Sequence, residues 1–230
     1  SSSPPPVTFS SAPLIARRAR PRAQNTSARP MAALSLTSLY PRHHDRWTGT
    51  PTHTFDFKEN PLSKNGASAS KTLAALKSLG FTHVLAIPDS ESALLYTAIE
   101  KDPDIDLILP TREGESIAIA AGLWTGGQKP LVLIQNTGFM EAGDSLRGCG
   151  LGPRVPLRLM VGWRGYGNAI AEKKPIDSAY TYTEPLLEAW GIPTWHLMCS
   201  DDLPAIEQMD RTAEETSLPA AVITGYAFTE

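Results

Sequence analysis

The stretch Pro130-Leu-Val-Leu-Ile-Gln135 is an almost unbroken apolar run of the length of a strand. Such a run is typical of a central parallel strand covered on both faces, because a strand with one wet face alternates apolar and polar side chains. Asn136-Thr137-Gly138 follows at once and predicts a turn out of the strand. This stretch therefore predicts an α/β domain with a mostly parallel sheet.

The segments on both sides repeat this pattern between Ser68 and Thr224, where short apolar runs alternate with helix-period segments. The predicted strands, each bounded by turn residues, are 83–87, 107–109, 130–135, 156–161, 193–197 and 219–224. The predicted helices are 70–79, one that Asp89 or Ser90 caps and that runs to 98, 113–126, one that ends at 190, and 202–216. A polar loop is predicted from 165 to 182. We expect one domain over residues 66–230, with a single open sheet and helices on both faces.

Residues 1–65 differ in composition from the rest, since six arginines precede the first acidic residue, Asp45. An Arg-rich and acid-poor segment is typical of an organellar transit peptide, but its prolines interrupt any amphipathic helix. A disordered extension or a non-native segment are the alternatives. We expect this part to lie outside the domain and the protein to be cytoplasmic, with organellar targeting as the alternative.

The bulk properties of the chain exclude several classes of partner. The formal charge is -3 over 230 residues, and no basic patch indicates nucleic-acid binding. No apolar run has the length needed to cross a membrane. Cys149 and Cys199 are the two cysteines, and their spacing predicts neither a metal site nor a CxxC motif, so we expect reduced thiols that pack in the fold. No metal ligands are predicted in this chain.

Ligands of open parallel sheets bind outside the carboxyl ends of the strands. Four polar segments directly follow predicted strands, namely Pro88-Asp89-Ser90, Thr111-Arg112-Glu113, Gln135-Asn136-Thr137-Gly138 and Trp163-Arg164. The candidate site therefore lies where these segments meet.

Each polar residue of these segments also has a simpler interpretation. Glu113 in the first turn of a helix is favoured by the helix dipole alone. Asp89 and Ser90 suit a turn and a helix N-cap, Asn136 suits a turn, and Arg164 suits a solvated surface cation. The sequence lacks GxGxxG, GxxxxGK[ST], HExxH and GxSxG segments, which disfavours nicotinamide, nucleotide, zinc-protease and serine-hydrolase sites.

The order of the four segments resembles that of a known enzyme family. The stretch from Arg112 to Gly122 is similar to the glutamate-bearing helix of thiamine-diphosphate enzymes. Pro88-Asp89-Ser90 resembles the first loop of phosphonopyruvate decarboxylases, Gln135–Gly138 resembles their QNSG segment, and Gly162-Trp163-Arg164-Gly165 resembles their GWRG loop. The similarity extends over residues 68–224 and also fits the alpha subunit of sulfopyruvate decarboxylase.

The resemblance implies a pyrimidine-binding α/β domain in which Glu113 is catalytic, because it hydrogen-bonds N1′ of the cofactor aminopyrimidine and so activates the cofactor. It implies cofactor-binding residues that share one loop, Gln135, Asn136, Thr137 and Gly138. It leaves four polar residues on the other loops as substrate-binding candidates, Asp89, Ser90, Arg112 and Arg164. The implied reaction is decarboxylation of a 3-substituted pyruvate, of phosphonopyruvate or sulfopyruvate type, to an aldehyde and carbon dioxide.

Two departures from the family pattern shape this prediction. Phe139-Met140-Glu141 stands where the family continues with Gly and Asn, and residues 168–182 hold no histidine, which leaves the substrate open. The Gly-Asp-Gly segment, through which the family holds Mg²⁺ and the diphosphate, is absent, the nearest string being Gly143-Asp144-Ser145 in a helix-like segment. The resemblance therefore implies an alpha subunit that is active only with a separate diphosphate-binding beta subunit, in a hetero-oligomer.

Two other functions remain open at this point. The first is a non-catalytic binding or regulatory subunit that has the same fold, which the change at Phe139-Met140-Glu141 would allow. The second is a carboligating synthase, in which the aldehyde unit joins an acceptor instead of taking up a proton.

Overall fold

Six short strands form one sheet in the computed structural model, which describes residues 66–174 and 177–230. They are β1 (His83–Ala86), β2 (Asp106–Ile108), β3 (Pro130–Gln135), β4 (Arg158–Gly162), β5 (Thr194–His196) and β6 (Ala220–Thr224). Their order in the sheet is β2-β1-β3-β4-β6-β5, and every neighbouring pair is parallel. The predicted parallel α/β fold is confirmed. The predicted extension over residues 1–65 lies outside the described residues.

Helices cover both faces of this sheet. They are α1 (Ala69–Ser78), α2 (Ala93–Glu100), α3 (Glu113–Thr125), α4 (Asn136–Glu141), α5 (Gly143–Ser145), α6 (Tyr166–Glu172), α7 (Ser178–Ala189) and α8 (Pro204–Thr216), with a π-helical turn at Leu146–Leu151 and a 3₁₀ turn at Ser200–Asp202. Successive side chains of β3 point to opposite faces of the sheet and pack in two different hydrophobic cores. Leu131 and Leu133 pack with α1, α2 and α8, whereas Val132 and Ile134 pack with α3, α4 and α7. This division explains why β3 is apolar throughout.

The structure corrects the prediction for the segment after β3. The predicted turn at Asn136-Thr137-Gly138 is the first turn of α4, which begins directly after the strand. Phe139, Ala142 and Leu146 are all buried and lie at helical spacing, so apolar burial stabilises this helical run despite its glycines. The predicted loop at 165–182 likewise contains α6 and the start of α7.

A buried ion-pair network lies at the opposite, amino edge of the sheet. Arg158, the first residue of β4, is 2% exposed, and its Nε and Nη2 donate to Asp210 Oδ1 (3.0 Å) and Glu214 Oε2 (2.6 Å). Its Nη1 donates to the carbonyl oxygen of Pro156 (2.8 Å), and Lys129 Nζ donates to Asp210 Oδ2 (2.6 Å). This network anchors α8 to the sheet and lies away from the strand ends where the candidate site is built.

Replacement of this arginine is expected to destabilise the fold without touching the candidate site. We expect Arg158→Met to lower the free energy of unfolding by about 1–2 kcal/mol, because a buried pair is broken while Lys129 still neutralises Asp210. The matched control is Arg147→Met, whose pair with Asp144 is formed by side chains that are 71% and 89% exposed, so a change within about 0.5 kcal/mol is expected. Urea denaturation measures both, and equal losses would contradict the assignment.

Candidate active site

The sheet order places a topological switch point between β1 and β3. The chain leaves β1 for β2 on one side and returns to form β3 on the other, so the connections diverge at the carboxyl ends of these two strands. Such a reversal of strand order is where open α/β sheets bind ligands. The segments that follow β1, β2 and β3 all begin at this edge of the sheet.

Glu113 and Gly138 come together at this edge. Glu113 is the first residue of α3, is half-buried, and lies against the first turn of α4. A Cβ atom on Gly138 would overlap the Cγ, Cδ and Oε1 atoms of the glutamate, so only glycine leaves room for this side chain. Within residues 66–174 and 177–230 the Glu113 carboxylate makes no hydrogen bond or ion pair. The structure thus joins two of the predicted segments around a carboxylate with unused acceptor capacity.

Asn136 places a second unused acceptor in the same region. Its side chain is fully buried, and Nδ2 donates to the Arg164 carbonyl oxygen (3.2 Å) and to Thr183 Oγ1 (3.0 Å). The Thr183 hydroxyl donates to the Ala179 carbonyl oxygen (2.6 Å), which fixes the orientation of the amide. Asn136 Oδ1 has no partner in the part of the chain that the structure describes. A buried acceptor without a donor costs about 1–3 kcal/mol, so a ligand donor at this atom would be stabilising.

The other two residues of this loop make a local contact. Thr137 is exposed, and its Oγ1 donates to Gln135 Oε1 (3.1 Å) at the end of β3. This bond fixes the two side chains relative to each other at the strand end. Their role in cofactor binding stays a prediction.

In the loop after β1, Asp89 has a structural role. Its Oδ1 accepts from the backbone N–H groups of Glu91 (2.7 Å) and Ser92 (2.9 Å), and its Oδ2 accepts from Ser92 Oγ (2.9 Å). This carboxylate therefore shapes the loop that leads into α2, as the turn interpretation predicts. The predicted cap by Asp89 or Ser90 is wrong, because α2 begins at Ala93 and its N-cap residue is Ser92. Ser90 is exposed, and no hydrogen bond of its side chain is present among the described residues. Substrate binding by Asp89 and Ser90 stays a prediction.

Both predicted cations have carboxylate partners. Arg112 is 75% exposed and pairs with Glu141, whose Oε2 also accepts from the Gly114 backbone N–H (3.0 Å). These contacts, led by the bond from Arg112, hold the pKa of Glu141 below its usual value. Arg164 Nε lies 3.3 Å from Asp177 Oδ2 at the start of α7. A substrate anion would have to compete with these carboxylates.

Sequence reasoning missed one carboxyl group of this edge, that of Glu91. Burial and the nearby negative charge of Asp89 raise the pKa of Glu91 to about 7, although the positive charge of Arg164 acts in the opposite direction. Its Oε2 lies 3.4 Å from the position of a Cβ on Gly162, at the end of β4. In the sequence Glu91 follows Asp89 by two residues in a strand-end loop, a position that by itself gives no sign of its burial.

Comparisons with known proteins agree with the resemblance to decarboxylases. No family model matches the chain. Sulfopyruvate decarboxylase of Methanosarcina acetivorans is 29% identical over 151 residues, which cover 65% of this chain and 38% of that protein. Phosphonopyruvate decarboxylase of Streptomyces viridochromogenes is 33% identical over 97 residues, which cover 42% of this chain and 24% of that protein. The chain is related to these decarboxylases. The predicted resemblance is confirmed.

The match to sulfopyruvate decarboxylase subunit alpha of Methanocaldococcus jannaschii covers more of the relative. It is 29% identical over 122 residues, which cover 53% of this chain and 70% of that subunit. The chain therefore corresponds to well under half of the first two decarboxylases but to most of an alpha subunit.

Solved structures of thiamine-diphosphate-dependent enzymes share this fold. The 4-hydroxybenzoylformate decarboxylase of Rhodococcus jostii RHA1 superposes with a TM-score of 0.53 at 20% identity, over 71% of this chain and 32% of that chain. A thiamin diphosphate-dependent enzyme of Mycobacterium smegmatis gives 0.55 at 19% identity, with the same two coverages. At these identities the likeness shows the fold alone.

The described residues lack two further kinds of feature. Within residues 66–174 and 177–230, no group of three or more His, Cys, Asp or Glu side chains is arranged to hold a metal ion. In the same part of the chain, no helix has the length and apolar character to cross a membrane. Cys149 and Cys199 are free thiols, the second one buried.

Proposed function

We propose that this chain is the pyrimidine-binding alpha subunit of a thiamine-diphosphate-dependent decarboxylase. Its substrate would be a 3-substituted pyruvate of sulfopyruvate or phosphonopyruvate type, and its products an aldehyde and carbon dioxide. The observation that carries the proposal is the Glu113 carboxylate, which lies against Gly138 at the carboxyl edge of the sheet and makes no hydrogen bond or ion pair among the described residues. The relatedness to named decarboxylases supports the choice of reaction.

The residues at this edge fit an aminopyrimidine ring. Such a ring offers a basic nitrogen, N1′, and an amino group that donates hydrogen bonds. Glu113 would hold a proton at N1′. The Oδ1 atom of Asn136 is a buried acceptor that finds no donor in the part of the chain that the structure describes. Because Gly138 has no side chain, the side chain of Glu113 has room beside the start of α4. When bound, thiamine diphosphate supplies the electron sink that decarboxylation of a 2-oxoacid requires.

We assign substrate binding to the loops around this ring. A 3-sulfo or 3-phosphono group adds a second anion to the 2-oxoacid, and guanidinium groups suit such oxygens. Arg112 and Arg164 would supply them, each by exchanging its present carboxylate partner for the substrate. Asp89 would act indirectly by holding the loop, and Ser90 would present its hydroxyl.

We place the diphosphate and Mg²⁺ on a partner chain. The sequence contains no Gly-Asp-Gly segment. Several relatives carry the designation subunit alpha, including those of Methanocaldococcus jannaschii and Methanococcus maripaludis. This designation supports a hetero-oligomer in which a beta-type chain completes the site.

The test combines the chain with a diphosphate-binding partner that carries Gly-Asp-Gly. With thiamine diphosphate and Mg²⁺, we expect this complex to release carbon dioxide from sulfopyruvate or phosphonopyruvate, and we expect the chain alone to release none. Turnover by the chain alone would contradict the need for a partner. Cofactor binding without turnover would indicate the non-catalytic alternative, and a coupled product in place of the aldehyde would indicate the carboligating one.

A further inference from the structure

The carboxyl group of Glu91 lies over the ends of the central strands. The Cβ position on Gly162 that lies 3.4 Å from Glu91 Oε2 is also 3.8 Å from Gln135 Cα and 3.9 Å from Thr224 Oγ1. The strands β4, β3 and β6, which are neighbours in the sheet, end at Gly162, Gln135 and Thr224 respectively. The side chain of Glu91 therefore extends from the loop after β1 across the end of β3 to the end of β4, where its carboxyl group lies close to Gly162.

The backbone of Glu91 is held on both sides. Its N–H donates to Asp89 Oδ1 (2.7 Å), and its carbonyl oxygen accepts from the backbone N–H of Phe228 (3.0 Å). Phe228 is itself buried in the core formed with α1, α2 and α8. The backbone from which this carboxyl group extends is thus held by the fold, as expected for a group that acts on a substrate.

The same carboxyl group has no bonded partner in residues 66–174 and 177–230. The charged groups that act on it are Asp89 from its own loop and Arg164 from the loop after β4. Arg164 is already paired with Asp177, so its attraction does not offset burial and the repulsion from Asp89. With a pKa of about 7, Glu91 carries its proton in a large fraction of molecules at neutral pH.

We propose that Glu91 is the proton donor of this site, which faces the substrate as a neutral carboxylic acid and protonates the carbon that has lost carbon dioxide. This inference rests on the proposed decarboxylase function. It gives the two carboxyl groups separate tasks, since Glu113 serves the pyrimidine ring and Glu91 serves the reacting carbon. Asp89 is unsuited to this task, because its two oxygens already accept three hydrogen bonds.

The proposed step conserves atoms and charge. The bond between the 2-carbon and the carboxylate breaks, carbon dioxide leaves, and the electron pair stays on the 2-carbon. This pair takes the proton of Glu91, so a C–H bond forms, an O–H bond breaks, and Glu91 becomes a carboxylate. Water returns the proton after the aldehyde leaves, so each carbon dioxide released consumes one proton from solvent.

The first test needs only the full chain. Labelling glutamate side chains with ¹³C at the carboxyl carbon allows each to be titrated by NMR, and Glu91→Gln identifies the Glu91 signal by its loss. We expect a midpoint near pH 7. A midpoint near the usual glutamate value of about 4.3 would overturn the proposal, because an ionised group has no proton to give.

The second test uses the complex with its diphosphate-binding partner, thiamine diphosphate and Mg²⁺. Loss of a proton donor is expected to lower aldehyde formation about 100-fold in Glu91→Gln. The electron acceptor dichlorophenolindophenol takes the electron pair before the carbon is protonated, so this reaction needs no general acid. The rate at which Glu91→Gln reduces the acceptor should therefore stay within about twofold of the wild-type rate. Wild-type aldehyde formation should decline above pH 7, and the variant should lose this decline. Glu100→Gln, an exposed change at the end of α2, should leave both rates unchanged.

The outcomes separate this inference from the function on which it rests. If the wild-type complex releases no carbon dioxide from either acid, the decarboxylase function fails and the role of Glu91 fails with it. If the wild type is active and Glu91→Gln forms aldehyde at the same rate, or loses aldehyde formation and acceptor reduction equally, only the role of Glu91 is overturned.

Discussion

Glu113→Gln in the assembled complex is expected to lower the turnover rate about 100- to 1000-fold, the range typical of a lost proton-sharing group. The amide keeps the size of the side chain, so its packing against Gly138 should persist. It cannot share a proton with a ring nitrogen as a carboxyl group does. We therefore expect turnover to fall while assembly with the partner is retained, which steady-state kinetics and size-exclusion chromatography measure.

Glu115→Gln is the matched control for this change. Glu115 occupies the same first turn of α3, but its Oε2 accepts from Thr111 N and Thr111 Oγ1, both at 2.9 Å, and it is exposed. These bonds lower the pKa of Glu115 and give it a local capping role. We expect turnover within about twofold of wild type, since a surface cap contributes to stability and not to chemistry. Equal losses in both variants would mean that the helix terminus, and not Glu113, is what matters.

Gly138→Ala is expected to have the second largest effect. The added Cβ would occupy the space of the Glu113 side chain, so either that side chain or the start of α4 must move. Overpacking of this kind costs about 1–3 kcal/mol of stability. A displacement of about 1 Å in a catalytic group can lower the rate about 100-fold, and we expect a loss of that order. Thermal unfolding and steady-state kinetics measure the two effects.

Gly122→Ala provides the control on the same helix as Glu113. Among the described residues no atom outside its own helix lies within 4 Å of a Cβ at this position. Alanine should stabilise the helix interior by about 0.5–1 kcal/mol and leave turnover unchanged. A fully active Gly138→Ala variant would contradict the close placement of Glu113 against α4.

The strands could be predicted because burial on both faces leaves a direct trace in sequence. Residues 130–135 are apolar throughout, and β3 has those bounds. Similarly, α1 begins one residue before its predicted start at residue 70, and its N-cap residue Ser68 accepts from Lys71 N (3.3 Å). Local signals of this kind need no knowledge of the rest of the fold.

The start of α4 could not be predicted in the same way. Asn136 and Gly138 are typical turn residues, and here they lie inside a helix because Phe139 is buried against the sheet and Trp190. The departure from the family pattern at Glu141 has a structural explanation as well, since this carboxylate bonds Arg112 and the first turn of α3. Both features depend on contacts between residues far apart in sequence.

Glu91 could not be predicted as a site residue for a similar reason. Its carboxyl group lies beside Gly162, which in turn lies close to Gln135 and Thr224, and these three residues come from three different strands. Only the sheet order brings these strand ends together under the loop after β1. The residue type and its position in a loop carry no sign of the burial that raises its pKa.

The most direct test of the role of Glu113 measures cofactor activation itself. In the complex with its partner, exchange of the C2 proton of thiamine diphosphate for deuterium, followed by quenched-flow ¹H NMR, reports activation without any substrate. We predict an exchange rate about 100-fold lower for Glu113→Gln than for wild type, and an unchanged rate for Glu115→Gln. Equal exchange in wild type and Glu113→Gln would contradict the role assigned to Glu113.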